Sequence, residues 1–273
     1  MSEFPASVEV VRSLRPRGGF RAVMFDFDGT LSLVRGGWME LMTEQMLTVL
    51  RDAGSQEPEP MLRHRIVQFI LDLVGQPTMR QMERLADEVA RLGATPQSPD
   101  VYLRNFLREL KIRVEARMTA MTVQGEDPER FRVPHAIPML DWLQGRQVPC
   151  VLASGTERIH VVREARALQL VPFFGERIYG PGDGHVFSKR AVIEQMMHEW
   201  GIPGEQILGF GDGVSETEEI HRVGGIAVAV ASDESGGGIV DPIKRERLIR
   251  AGADLVIPDY RDALPLLHWL STH

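Results

Sequence analysis

The residues with the clearest chemical potential are Asp26 and Asp28, in the run Phe25-Asp26-Phe27-Asp28-Gly29-Thr30-Leu31 that follows the apolar Ala22-Val23-Met24. Side chains alternate along a strand, so carboxylates two residues apart project toward the same side. Two like charges that close require a cation, a hydrogen-bonding partner or a proton. Gly29 and Thr30 then turn the chain, which puts the pair at a strand's carboxyl end, where open α/β sheets bind ligands. Asp-Gly is also a common turn, with its aspartates solvated or capping. The apolar strand leading into the pair, and the partners further along the chain, favour a functional site.

A second signal is Gly209-Phe210-Gly211-Asp212-Gly213-Val214-Ser215-Glu216. An apolar strand again ends in an aspartate flanked by glycines, with an acid four residues on. Glu216 could simply cap a helix. Asp212, however, offers a third carboxylate, and magnesium takes oxygen ligands while keeping waters, so a few such groups and a substrate phosphate complete its shell. Ser154-Gly155-Thr156 follows the strand-like Val151-Leu152-Ala153, and a hydroxyl with exposed amides at a strand end makes an anion site. Taken alone, Ser154 or Thr156 reads better as a plain helix cap. Lys189 heads a helix, where the helix dipole disfavours a cation, so a local anionic partner is expected. Lysine is scarce in this arginine-rich chain, occurring only at Lys111, Lys189 and Lys244, so each position is informative.

The elements that must position these groups can be read from periodicity. Residues 6–11 suggest a short strand, 16–19 a turn and 20–27 the first core strand. From about Gly36 to Glu126 apolar residues recur at helical spacing: Trp38 to Leu50, Ile66 to Val74, Met82 to Leu92, and Tyr102 onward to Met118. Breakers at 54–60, 75–78 and 93–99 separate four or more helices with no strand pattern between them. Beyond Pro134, helices are expected at 139–144, 157–168, 189–200, 216–223, 243–251 and 263–270. Strands are expected at 148–153, 177–179, 206–210, 226–231 and 255–257. This alternation predicts a doubly wound parallel sheet covered on both faces, interrupted after its first strand by an all-helical insertion. The glycine run at 235–238 lacks the spacing and lysine of a phosphate loop and reads as a surface loop.

The bulk properties bound the function. The chain has 273 residues, 43% hydrophobic and 25% charged, enough for a sizeable core in one or two domains. A net charge of −7 argues against a nucleic-acid or membrane-surface partner. The single cysteine, Cys150, excludes an intramolecular disulfide and reads as an inert buried thiol. The eight histidines show no ligand spacing. With no apolar stretch of membrane-span length and no signal-peptide core in residues 1–20, the cytoplasm is the expected compartment.

By the order and context of Asp26-x-Asp28, Ser154, Lys189 and Gly211-Asp212 with Glu216, the sequence resembles the haloacid dehalogenase superfamily of phosphotransferases. The resemblance implies an α/β core, residues 1–34 and 127–273, and a helical cap, residues 35–126. It also implies that Asp26 attacks phosphorus to form an aspartyl-phosphate, while Asp28 protonates the leaving oxygen and then activates water. Ser154, Gly155 and Lys189 would bind the phosphoryl oxygens. Mg²⁺ would be held by the Asp26 side chain, the Asp28 backbone carbonyl and Asp212, with Glu216 acting through water; the family commonly has aspartate at that position. The dehalogenases proper lack the second aspartate and need no metal. The phosphonate-cleaving branch has a small apolar residue at the Asp28 position and a catalytic cap lysine, and here Lys111 is the only lysine in the cap.

The expectation is therefore a magnesium-dependent phosphomonoester hydrolase acting on a small phosphorylated metabolite, such as a sugar phosphate. One alternative is a sugar phosphomutase, in which Asp28 returns the phosphoryl group to the sugar. Another is a non-catalytic binding protein on the same fold, whose mark would be a lost nucleophile or metal aspartate; neither is lost here. Substrate contacts are expected from Arg35 and Trp38, at a possible hinge into the cap, and from Thr78 and Arg80 in the polar break 75–81. Trp38 reads equally well as part of the helical core.

Overall fold

A computed structural model of the protein describes residues 5–14, 18–74, 76–182, 187–234 and 238–272. The expected turn at 16–19, the break at 75 and the glycine run at 235–238 fall wholly or partly outside the described residues. The chain divides into two compact units, Met1–Gly36 with Met118–His273, and Gly37–Arg117.

The first unit opens with β1 (Glu9–Val10) and β2 (Ala22–Phe25), after which the chain enters four helices, α1 (Trp38–Asp52), α2 (Glu59–Asp72), α3 (Met79–Arg91) and α4 (Pro99–Thr122). The second unit consists of α1 to α3 and most of α4. Its core is the stripe that the periodicity marked, including Met42, Met46, Leu50, Leu62, Ile66, Ile70, Met82 and Leu85, all fully buried. The buried carboxylate of Glu88 is compensated within the unit by Arg65, Arg84 and Arg91. The units divide at 36/37 and 117/118, where the sequence had suggested 34/35 and 126/127. No glycine or proline interrupts residues 100–122, so α4 runs unbroken past the second division.

The chain then alternates: α5 (Ala136–Gly145), β3 (Cys150–Ala153), α6 (Arg158–Ala167), α7 (Val171–Phe174), β4 (Ile178–Tyr179), α8 (Lys189–Trp200), β5 (Ile207–Gly211), α9 (Val214–Arg222), β6 (Ile226–Val230), α10 (Pro242–Ala251), β7 (Leu255–Ile257) and α11 (Ala263–Thr272). α8 and β7 have the bounds read from the sequence. The four-residue α7 is too short to show a period. The seven strands form one sheet, ordered β1-β7-β6-β5-β2-β3-β4. All neighbours are parallel except the edge pair β1 and β7, so the sheet is mostly rather than wholly parallel. Strand β1 is also shorter than the expected 6–11, because the Val11 and Arg12 amides both turn onto the Asp254 carbonyl and end the ladder.

The inner strands β2, β3, β5 and β6 are continuous apolar runs buried along their whole length, as parallel strands covered on both faces must be. On one face Met24, Val151 and Ile207 pack with Val192, Ile193 and Met196 of α8 and Ile220 of α9. On the other, the Phe25 ring stacks on Phe210 at 5.0 Å, with Phe174 against the edge of Phe25 and Tyr260 against Phe210. From β2 the chain winds out to β3 and β4, then returns to lay β5 against the other side of β2. That reversal makes the carboxyl ends of β2 and β5 the sheet's natural binding crevice. Among the described residues no helix is long and apolar enough to cross a membrane.

Candidate active site

The two sequence signals meet at this crevice, since Asp26 follows β2 and Asp212 follows β5. Their closeness depends on glycine. Gly29 holds a positive φ of 71°, and any Cβ there would overlap the Asp212 carboxylate. A Cβ at Gly211 or Gly213 would likewise strike the Glu216 side chain. These glycines let the carboxylates fold inward, and ligand oxygens of Asp26, Asp212 and Glu216 lie within 4.8 Å of one another. The turn after β2 is braced from behind: Ser232 Oγ donates to the Gly29 carbonyl at 3.1 Å, and the buried Tyr260 hydroxyl donates to the Thr30 carbonyl at 3.0 Å.

Lys189 lies at the first turn of α8, as expected, and its anionic partners are Asp26 and Glu216. Its Nζ donates to Asp26 Oδ1 at 2.7 Å and to Glu216 Oε2 at 2.6 Å. Burial works against the ammonium, but the two carboxylates outweigh it and hold Lys189 above its ordinary range. Burial raises the Asp26 pKa well above its ordinary value, with Lys189 opposing. With the ammonium in direct contact we assign Asp26 as the carboxylate. Glu216 is held below the usual range despite its burial, by Lys189 and by backbone donors. Its second oxygen accepts from the Gly213 amide at 2.5 Å, so Glu216 caps α9 and also lies beside Asp26 and Asp212.

Asp28 has different company. Its Oδ2 accepts from Thr156 Oγ1 at 2.9 Å and from Ser154 Oγ at 3.4 Å. Ser154 also accepts from the Thr156 amide. Neither residue caps α6, whose N-cap is Glu157, so the plain-cap reading of Ser154 and Thr156 fails: their hydroxyls turn to Asp28 instead. Gly155 between them is exposed. Among the described residues Asp28 Oδ1 has no hydrogen-bond partner; it lies 3.5 Å from Arg35 Nε, while the Arg35 guanidinium pairs with buried Glu164 at 2.7 Å. Burial raises the Asp28 pKa, against the pull of Arg35 and the hydroxyls. Burial likewise lifts Glu164 to about 7, with Arg35 opposing.

Sequence reading missed Thr156 as a carboxyl partner, Glu164 and Lys244. Lys244 Nζ bridges Asp212 Oδ2 at 3.0 Å and Glu234 Oε1 at 2.8 Å. The scarcity of lysine was the available signal for Lys244; nothing marks Glu164 within its helix. Asp212 is raised by burial, with Lys244 opposing. Of the expected substrate residues, Arg35 joins the Asp28 cluster. Trp38, Thr78 and Arg80 belong to the helical unit, where Trp38 opens α1, Thr78 precedes α3 and the exposed Arg80 pairs with Glu83. Cys150 is buried and its thiol is pushed up to about 12 by burial.

A family model for haloacid dehalogenase-like hydrolases matches residues 20–224, a span that includes every site residue from Asp26 to Glu216. The chain belongs to this family. Solved structures share the fold. A haloacid dehalogenase-like protein of unknown function from Agrobacterium tumefaciens aligns at 17% identity and a TM-score of 0.62, over 93% of this chain and 100% of that one. A haloacid dehalogenase-family hydrolase from Deinococcus radiodurans, holding phosphate and sodium, aligns at 22% identity and 0.58, over 94% and 100%. A candidate phosphoglycolate phosphatase from Haemophilus somnus aligns at 17% identity and 0.58, over 90% and 97%. No curated protein matches the sequence.

Proposed function

We propose that this haloacid dehalogenase-like hydrolase is a metal-dependent phosphomonoester hydrolase that works through an aspartyl-phosphate on Asp26. The observation carrying this reading is the asymmetry of the paired carboxyls: Asp26 bonded at 2.7 Å to a buried ammonium, Asp28 cradled by hydroxyls beside it. An anionic Asp26 oxygen attacks phosphorus as the ester P–O bond breaks. Asp28, raised toward its protonated form, gives its proton to the departing oxygen. The resulting Asp28 carboxylate then takes a proton from water, whose oxygen attacks phosphorus and releases phosphate and free Asp26. Lys189, with Ser154 and Gly155 at the end of β3, holds the phosphoryl oxygens as charge builds on them.

The site's donors fit a hard divalent cation. Asp26, Asp212 and Glu216 bring three carboxylates together; Lys189 pairs with Asp26 and Glu216, while Lys244 divides its charge between Asp212 and Glu234 outside the cluster. Asp26, the Asp28 carbonyl and Asp212 would hold Mg²⁺, with Glu216 acting through water because both its oxygens already have partners. When bound, the cation supplies positive charge to the phosphoryl oxygens. The substrate is a small phosphorylated metabolite, a sugar phosphate being one candidate; Arg35 beside Asp28, and Trp38, Thr78 and Arg80 of the helical insertion, are the residues proposed to select it. The protein works in the cytoplasm without nucleic-acid or membrane partners.

A panel of phosphomonoesters tests the reading. With Mg²⁺ present, phosphate is released from at least one member, and EDTA abolishes the release. Undiminished turnover in EDTA removes the metal from the reading, and an inert panel removes the hydrolase.

A further inference from the structure

Lys244 lies beyond the stretch that the family model matches, yet its Nζ sits 3.0 Å from Asp212 Oδ2. It rises from the first turn of α10, whose N-cap Asp241 accepts from the Ile243 and Lys244 amides and so fixes the residue's backbone. The side chain is nearly buried, 12% exposed, and reaches two carboxylates: Asp212, and Glu234 at 2.8 Å. The next turn of α10 adds a second hold, with the Arg247 guanidinium donating to the Asp212 backbone carbonyl at 2.9 Å. The Asp212 main chain thus has a hold independent of its carboxylate. The Asp212 oxygen that Lys244 holds is one a divalent cation could take, and an ammonium kept beside it lowers the site's affinity for a second cation.

We propose that Lys244 is a tethered cation that competes with the divalent metal for Asp212 and is received by Glu234 when the metal binds. The inference rests on the metal-dependent reading above. In this scheme Lys244 occupies the Asp212 carboxylate in the metal-free protein and prevents Asp212 and Asp26 from repelling one another. Glu234 is the alternative perch, already within bonding distance, so the exchange requires only a short swing of the lysine head about its flexible stem. Lys244 is thus a positioning residue that sets the metal's affinity, rather than a group that touches substrate.

Isothermal titration of the full chain with Mg²⁺, without substrate, separates this role from that of a simple scaffold. Removing the competitor in Lys244→Met tightens Mg²⁺ binding by about 10-fold, a change of the size that outer partners of metal ligands exert. Removing the perch in Glu234→Gln confines the ammonium to Asp212 and weakens binding. In Lys244→Met/Glu234→Gln the Glu234 effect disappears, because there is no ammonium left to receive. A scaffold role gives the opposite sign at Lys244. Weakened or unchanged binding in Lys244→Met, with wild type binding normally, overturns this proposal alone. No Mg²⁺ binding by wild type or either single variant overturns the metal-dependent reading as well. If Lys244→Met proves unfolded by circular dichroism, the sign of the Glu234→Gln effect decides, and unchanged or tighter binding there overturns the proposal.

Discussion

Asp26 and Asp28 lie two residues apart, and the regions around them offset their charge in different ways. Around Asp26 the side-chain contact is close and ionic, with Lys189 bonded to it and to Glu216 and all three buried. Around Asp28 one oxygen is held by hydroxyls, and the other faces Arg35 at 3.5 Å without a hydrogen bond. The Asp28 side chain is 30% exposed, against 10% for Asp26. The difference teaches how one motif can supply two kinds of carboxyl. An ammonium in direct contact favours the anion at the first, against the burial that raises its pKa. Hydroxyl donors and a more distant cation leave the second able to gain and lose a proton.

The comparison can be broken by deleting the cation on each side. Lys189→Met leaves Asp26 and Glu216 as adjacent buried carboxylates with no counter-ion, a loss of roughly 3–5 kcal/mol in chemical unfolding and of nearly all phosphate release. Arg35→Met leaves Asp28 with both hydroxyls and lets Glu164, already raised to about 7, keep its proton, so its cost is smaller, on the order of 1 kcal/mol. Equal losses for the two variants would show that the two sides are built alike.

Glu164→Gln sharpens the comparison with a smaller effect. The folded protein holds Glu164 protonated up to about pH 7, whereas the unfolded chain releases that proton in the ordinary carboxylate range. The native state therefore binds more protons between those limits. Stability falls as pH rises through that window, by at most about 1.4 kcal/mol per pH unit, and levels off above it. Unfolding curves across the window should fall more steeply in wild type than in Glu164→Gln, where Asp28 and Asp212, also raised by burial, still contribute. An identical slope in both proteins would place the titration elsewhere.

Much of this was legible in the sequence, for reasons particular residues make clear. The strands that position the site are unbroken apolar runs, and they end at Asp26 and Asp212 because Gly29 and Gly213 follow. Lys189 at a helix start announced an anionic partner by its unfavourable place in the helix dipole. Taken alone, the Ser154 and Thr156 hydroxyls read as caps, because a cap and a side-chain partner look alike until the start of α6 is known. Glu164 and Lys244 were hidden for another reason: their partners, Arg35, Asp212 and Glu234, come from distant or irregular stretches with no period of their own. Sheet periodicity likewise gave no hint that β1 runs antiparallel, since direction is set by the chain's route and not by alternation.

The central claim, that the opening pair divides nucleophile from acid–base group, is tested most directly by trapping the covalent intermediate. Wild type and Asp28→Asn are mixed with a phosphomonoester that the panel identifies, quenched in acid and mapped by peptide mass spectrometry. The account predicts a phosphoryl group on Asp26 in both proteins. It should persist in Asp28→Asn, whose hydrolysis slows by about 10²–10⁴-fold for want of the base. Phosphate release with no phosphoryl group on Asp26, or full activity in Asp26→Asn, would contradict it.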